Sequence, residues 1–429
     1  MPAIEALIGD LTILLSKINN KKKFFLFIFQ SFYSFEKIIF FLGKKTFFLL
    51  NQNMGLERIA RIDAPDTSEG SFGTATKLYG NTLIVSSYTS GITTLQQGYV
   101  YIYQRGNDGN WTLKQSIRGT DVCTLPATDV VNFGGQVDIY ENYAAISSVP
   151  DGGSGDEGQV HILVRGNDAI WRLQQTLEGD SPDDNFGFGL SLSGNNLLVG
   201  APAGENGFGA AYWFVRGNDG IYNRVRKITG PANGSQFGGI ALSISGNSAI
   251  VPAGGFNATG RIYFYARDNN GDWEETATID GTDQTPGLGG TGAYIYKNFA
   301  VAGTAQGNPG GLTDAGAFVT FTRDNSGTWS VKDTIFGTVE NQNLGNTVGL
   351  YGNYVTSISR INPEDTANEA MFQLYRRNAE GNLDLLYSEG IDTATTPIIG
   401  GADTSDIHGN YFALGCPDVS ELLIYQNKN

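Results

Sequence analysis

The side chains of this chain that could do chemistry are few. His161 and His408 are its only histidines, and Cys123 and Cys416 its only cysteines. Two cysteines are too few for a disulfide framework, so free thiols are expected. Carboxylates are more plentiful, and Asp151, Asp156, Glu157, Asp180, Asp183, Asp184 and Glu205 crowd one part of the sequence. Two acids at a suitable gap are enough for glycosidase-type hydrolysis, yet no spacing here singles out a pair. The stretch "FGFGLSLSGNNLLVGAP" at 186–202 suggests a phosphate grip. It does not follow Gly-x-Gly-x-x-Gly, and no helix comes after it to offer an N-terminus.

The charge is uneven along the chain. The net charge is −15, but residues 1–53 hold seven lysines against three acids, so the remainder carries −19. That remainder repels nucleic-acid backbone and anionic membrane. The first 53 residues are different material, with ten of the 25 phenylalanines. Their longest charge-free apolar run, Phe24 to Phe35, is 12 residues. It is too short to span a bilayer as a helix, and it fits the hydrophobic region of a signal peptide behind a lysine-rich start. No small-x-small cleavage site follows. A secretion signal or anchor, residues upstream of a true start at Met54, and a helix on the main domain are the three readings of residues 1–53. Any membrane contact would run through them, and a signal would place the chain outside the cell or at its surface.

From Met54 onward the chain repeats itself. Phe72, Phe133, Phe186, Phe237, Leu288, Leu344 and Ile399 each open a similar run, at intervals of 61, 53, 51, 51, 56 and 55 residues. Each unit reads as four short strands. An alternating run is followed by a Gly-Asn-type turn, an apolar strand, a third strand ending in arginine, and an Asn/Asp/Gly hairpin turn into a fourth. Four strands in about 50 residues make a propeller blade. The last unit stops after "ELLIYQNKN", without a fourth strand, while "GLERIARID" after Met54 is a fourth strand without a blade. The predicted fold is all-β: a seven-bladed β-propeller of four-stranded antiparallel blades over 54–429. Pairing of the N-terminal strand with the last blade closes the ring. Leu56 then stands for Trp111 and Ile62 for Ile117.

These units resemble the FG-GAP repeat family, whose blades also build the propeller of integrin α-subunits. The likeness rests on Phe186-Gly187, Gly200-Ala201-Pro202, "GAAYWF" at 209–214 and Trp171 before "LQQTLEG". The resemblance implies a propeller that serves adhesion or protein recognition, commonly outside the cell. Family members often carry a calcium loop between strands one and two. Here that connection is as short as "SGNN", too short for six to eight oxygen ligands, so no metal or cofactor is expected.

Repetition also explains most candidate residues. His161 aligns with Tyr101, Tyr212 and Tyr263 on strand three, and His408 with Ser193 and Ser245 at the strand-one turn. Arg105, Arg165, Arg216, Arg267, Arg323 and Arg376 recur at the end of strand three, where each is expected to bond the turn that follows. Trp111, Trp171, Trp273 and Trp329 open strand four and are expected to pack on the next sheet. Function is expected where repeats differ, in the loops leaving strand two and entering strand one. The seven acids named above fall there and suggest an acidic recognition surface. The expected function is therefore a non-catalytic, monomeric binding or adhesion module for a protein or glycan partner, with no role in nucleic-acid binding. The alternatives are a lectin using the repeated aromatics, or a hydrolase with two carboxylates near the central channel.

Overall fold

The computed structural model describes residues 26–28, 38–42, 45–49, 56–65, 71–87, 98–123, 131–150, 158–181, 184–239, 242–360, 369–392, 405–416 and 420–428. The chain divides into two compact units, Met1–Met54 and Gly55–Asn429. In the first, Leu26–Ile28, Ile38–Leu42 and Lys45–Leu49 form a three-stranded antiparallel sheet. Where a helix is one expectation for that segment, its described residues are strands. Among the described residues of the chain, no helix is long and apolar enough to cross a membrane.

The second unit is a seven-bladed propeller of four-stranded antiparallel sheets. Blade 3 shows the plan: Gly189–Ser193, Asn196–Ala201, Ala210–Arg216 and Tyr222–Thr229, each paired with the next. Gly194 turns strand one into strand two with φ 63°, the left-handed region a tight hairpin needs. Blade 7 is closed as predicted. Its first three strands, Ser405–His408, Tyr411–Cys416 and Glu421–Asn427, are joined by Leu56–Asp63 as the fourth. Leu56 lies opposite Asn427 and Ile62 opposite Leu422. Trp111 and Ile117 hold the same register against Arg105 and Val100 in blade 1.

Blades are fastened to one another by repeated devices. The glycine before strand three touches the next blade, as in the bridges Gly209–Phe237, Gly260–Leu288 and Gly316–Leu344. A Cβ on Gly158 would stand 2.0 Å from the Phe186 carbonyl oxygen, so only glycine fits. The residue opening strand four is buried against the preceding blade, correcting the expected contact with the next one. Trp171 clusters with Ile84 and Ile102, Trp273 with Leu198 and Trp213, and Trp329 stacks on Phe264 at 4.4 Å. Trp111 does the same across the closure, against blade 7 residues Leu422 and Ile424.

The arginines also differ from expectation. Paired strands two and three put the end of strand three beside the turn between strands one and two. Arg105, Arg216 and Arg323 therefore reach back to Asn81, Asn195 and Asn298, at 2.8 Å for Arg105 and 2.7 Å for Arg323. Their guanidinium groups also lie on the preceding blade: Arg105 over Tyr411 at 4.1 Å and Arg216 over Tyr143 at 3.7 Å. Arg267 alone of this set bonds the following turn, at the Gly271 carbonyl. In blade 6 strand three is longer, and Arg377 rather than Arg376 bonds Asn353.

Candidate active site in the axial channel

Strand one of every blade faces the propeller axis, and the seven together line a cavity of about 380 Å³. This is within the usual size for small-molecule sites. Alternation along a strand sorts its residues. Leu78, Ile139, Leu192, Ile244, Ile295 and Ile407 go into the cores between blades, and the residues flanking them face the channel.

The last residues of the strands form a collar at the mouth on the side of the strand-one turns: Tyr79, Tyr140, Ser193, Ser245, Tyr296, Tyr351 and His408. Five of them make a continuous aromatic arc. Ring centroids lie 5.1 Å apart for Tyr140–Tyr79, 4.8 Å for Tyr79–His408, 4.7 Å for His408–Tyr351 and 5.2 Å for Tyr351–Tyr296. Burial, then the neighbouring phenol of Tyr140, push the Tyr79 hydroxyl above its usual range. Burial holds the His408 imidazole below its ordinary value. Burial thus favours the uncharged forms of both rings.

Two residues earlier stands a polar layer: Lys77, Asp138, Ser191, Ser243, Tyr294, Gly349 and Asp406, all but Gly349 lining the cavity. Asp406 Oδ2 accepts the Leu78 N–H at 2.7 Å, and its Oδ1 lies 3.6 Å from the Lys77 ammonium. Asp138 accepts from Ile139 N–H at 2.8 Å and from Leu192 N–H at 2.6 Å. Both carboxylates therefore tie one blade to the next, as Ser191 does through the Ile244 N–H. Burial pushes Asp406 up to about 6, with Lys77 and the Leu78 N–H opposing and the Asp138 charge adding to the rise. A carboxyl that titrates near neutrality inside a cavity is suited to acid–base work. Lys77 is the one Lys or Arg among the described residues lining the channel.

Of the acids expected to form a recognition surface, Asp180, Asp184 and Glu205 lie at the opposite ends of the strands, away from the collar. Asp151, Asp156, Glu157 and Asp183 fall outside the described residues. Asp180 and Glu205 share the Lys227 ammonium, and Asp180 also pairs with Arg224. Asp184 is buried and accepts the Phe186 N–H at 2.8 Å, bracing the start of blade 3. The repeated aromatics that a lectin would expose are mostly internal: Trp171 is 4%, Trp273 1% and Trp329 5% exposed.

Sequence reasoning passed over Lys77, Asp138 and Asp406 because their counterparts in other units are serine, tyrosine and glycine. A comparison of the inward position of strand one across all seven repeats would have found them.

These features can be set beside known proteins. No family model matches the chain, and no curated protein matches it. A solved structure does: that of a "putative 6-phosphogluconolactonase" from Bacteroides uniformis ATCC 8492, at 14% identity and a TM-score of 0.50. The match covers 73% of this chain and 83% of that one. At this identity the likeness shows the fold. The expected non-catalytic adhesion module is corrected here only to this extent: the propeller matched carries the name of a lactonase and not of an adhesion protein.

His161 belongs to a different cluster, inside blade 2. It is fully buried, with Nε2 2.9 Å from Ser148 Oγ and 3.6 Å from Cys123 Sγ, and Nδ1 3.3 Å from Thr176 Oγ1. Burial lowers its imidazole to about 4 from the usual 6.5. The unfolded chain binds that proton first, so native stability from this residue is lost as pH falls from 6.5 toward 4. Urea midpoints of wild type and His161→Gln, measured across that window, are expected to converge as pH falls. A gap that stays constant with pH contradicts this origin.

Proposed function

We propose that this chain is a hydrolase for small esters or lactones, with the axial channel as its active site and Asp406 as the general acid–base. The observation that carries the reading is the placement of Asp406 in the cavity wall, 3.6 Å from the Lys77 ammonium and within the field of Asp138, with its carboxyl at about 6. The ionised Asp406 takes a proton from water as the oxygen of that water adds to the substrate carbonyl. The C–O bond to the leaving alcohol then breaks, and Asp406 returns the proton to that oxygen. Lys77 is the nearby cation for the negative charge that develops on the carbonyl oxygen.

The substrate of the solved neighbour is not carried over. A phosphorylated lactone would bring its phosphate against Asp138 and Asp406, with Lys77 the one Lys or Arg among the described lining residues to balance them, and Lys77 is already beside Asp406. The channel better suits neutral or cationic molecules. We also read the repeat as FG-GAP-type, on Phe186-Gly187 and Gly200-Ala201-Pro202, without an adhesion role.

Asp406→Asn keeps an acceptor for the Leu78 N–H and removes the titrating group. Against a panel of p-nitrophenyl esters and aliphatic lactones, it should lose about 100-fold or more in kcat, the usual contribution of a general acid–base. Equal rates for the variant and the wild type, or no turnover of any panel member, would refute the assignment.

A further inference from the structure

Five aromatic rings, from Tyr140 through Tyr79, His408 and Tyr351 to Tyr296, line one mouth of the channel, and two carboxylates lie just inside it. Aromatic faces attract cations through the negative face of the ring quadrupole, more strongly where water is excluded. One ammonium of the chain already lies against a collar ring, and a second against a ring of the polar layer below it. Lys297 Nζ lies 5.3 Å from the Tyr296 ring centroid, and Lys77 Nζ 5.4 Å from that of Tyr294. With Asp138 and Asp406 ionised and Lys77 charged, the described channel lining carries one net negative charge.

From this arrangement we infer that the collar binds an organic ammonium group, so that the preferred ester or lactone carries a cationic head beside its reacting carbonyl. The five rings hold the head, and the polar layer below receives the ester. The inference rests on the channel being the active site proposed above. Ser193 and Ser245 complete the collar and leave one sector without aromatic rings.

The test compares choline with 3,3-dimethyl-1-butanol, which has the same shape without the charge, by isothermal titration or ligand-observed NMR on the full chain. Choline is expected to bind at least about fivefold more tightly, the scale of a cation–π contact that keeps part of its hydration. Tyr351→Phe should keep that ratio, whereas Tyr79→Leu and Tyr351→Leu should bring it toward one. A ratio of one in the wild-type protein overturns the inference, as does a ratio unchanged in both leucine variants. The two readings fail separately. Loss of hydrolysis in Asp406→Asn with no preference for choline removes the cationic head alone. A preference for choline together with full activity in Asp406→Asn removes the hydrolase assignment alone.

Discussion

Gly158→Ala is expected to destabilise the propeller by about 3 kcal/mol or more, the cost of forcing an atom into a filled interface. Gly158 precedes strand three of blade 2, and a Cβ there would meet the Phe186 oxygen at 2.0 Å and the Phe186 nitrogen at 2.8 Å. Both contacts are backbone, so no side chain can turn aside. Blade 3 itself would have to retreat, and every retreat widens a seam filled by Phe186, Val160 and Ile162. Gly209→Ala adds a conformational penalty to a similar clash, since Gly209 has φ 80° and a Cβ there would lie 2.3 Å from the Phe237 oxygen. Gly194 is the control. Its φ is 63° with nothing within 4 Å, so alanine should cost only the left-handed penalty of about 1–2 kcal/mol. Urea unfolding of the three variants checks the order. A Gly158→Ala protein no less stable than Gly194→Ala would contradict the account of how blades meet.

The second large effect concerns the ring closure. A chain of residues 55–429 retains Leu56–Asp63 as the outer strand of blade 7, whereas one of residues 64–429 leaves Glu421–Asn427 as a bare edge. Leu56, Ile59, Ala60 and Ile62 pack on the blade cores at that seam. An open propeller exposes both unpaired backbone and apolar surface, a combination that promotes aggregation. The shorter chain should be largely insoluble or melt many degrees lower, while the longer one should unfold in a single transition. Equal melting temperatures by calorimetry would mean that the strand is not what closes the ring.

The blade pattern was legible because each unit repeats both periodicity and turn chemistry, down to the registers of Leu56 and Ile62. Some details depended on packing that no single unit contains. The repeat marks the arginines at the end of strand three as structural, but their partners lie in the adjacent turn between strands one and two and in the preceding blade. Blade 6 shifts that role from Arg376 to Arg377 because its third strand runs through Arg377. The site was less legible than the frame. Lys77, Asp138 and Asp406 are separated in sequence by as much as the ring itself, and only closure brings strands one of blades 1, 2 and 7 to one axis. The loop acids cluster in sequence, yet Asp180 and Glu205 are engaged by Lys227 and Asp184 is buried.

The central claim is that Asp406 titrates as the working group of the channel, and the pH dependence of kcat/KM tests it most directly. The wild-type profile should rise with an apparent pKa of about 6. Lys77→Met removes a cation that holds the carboxyl down, so the break should move up; Asp138→Asn removes an anion that pushes it up, so the break should move down. Opposite displacements in the two variants are the predicted result. A break that stays in place in both would contradict the account.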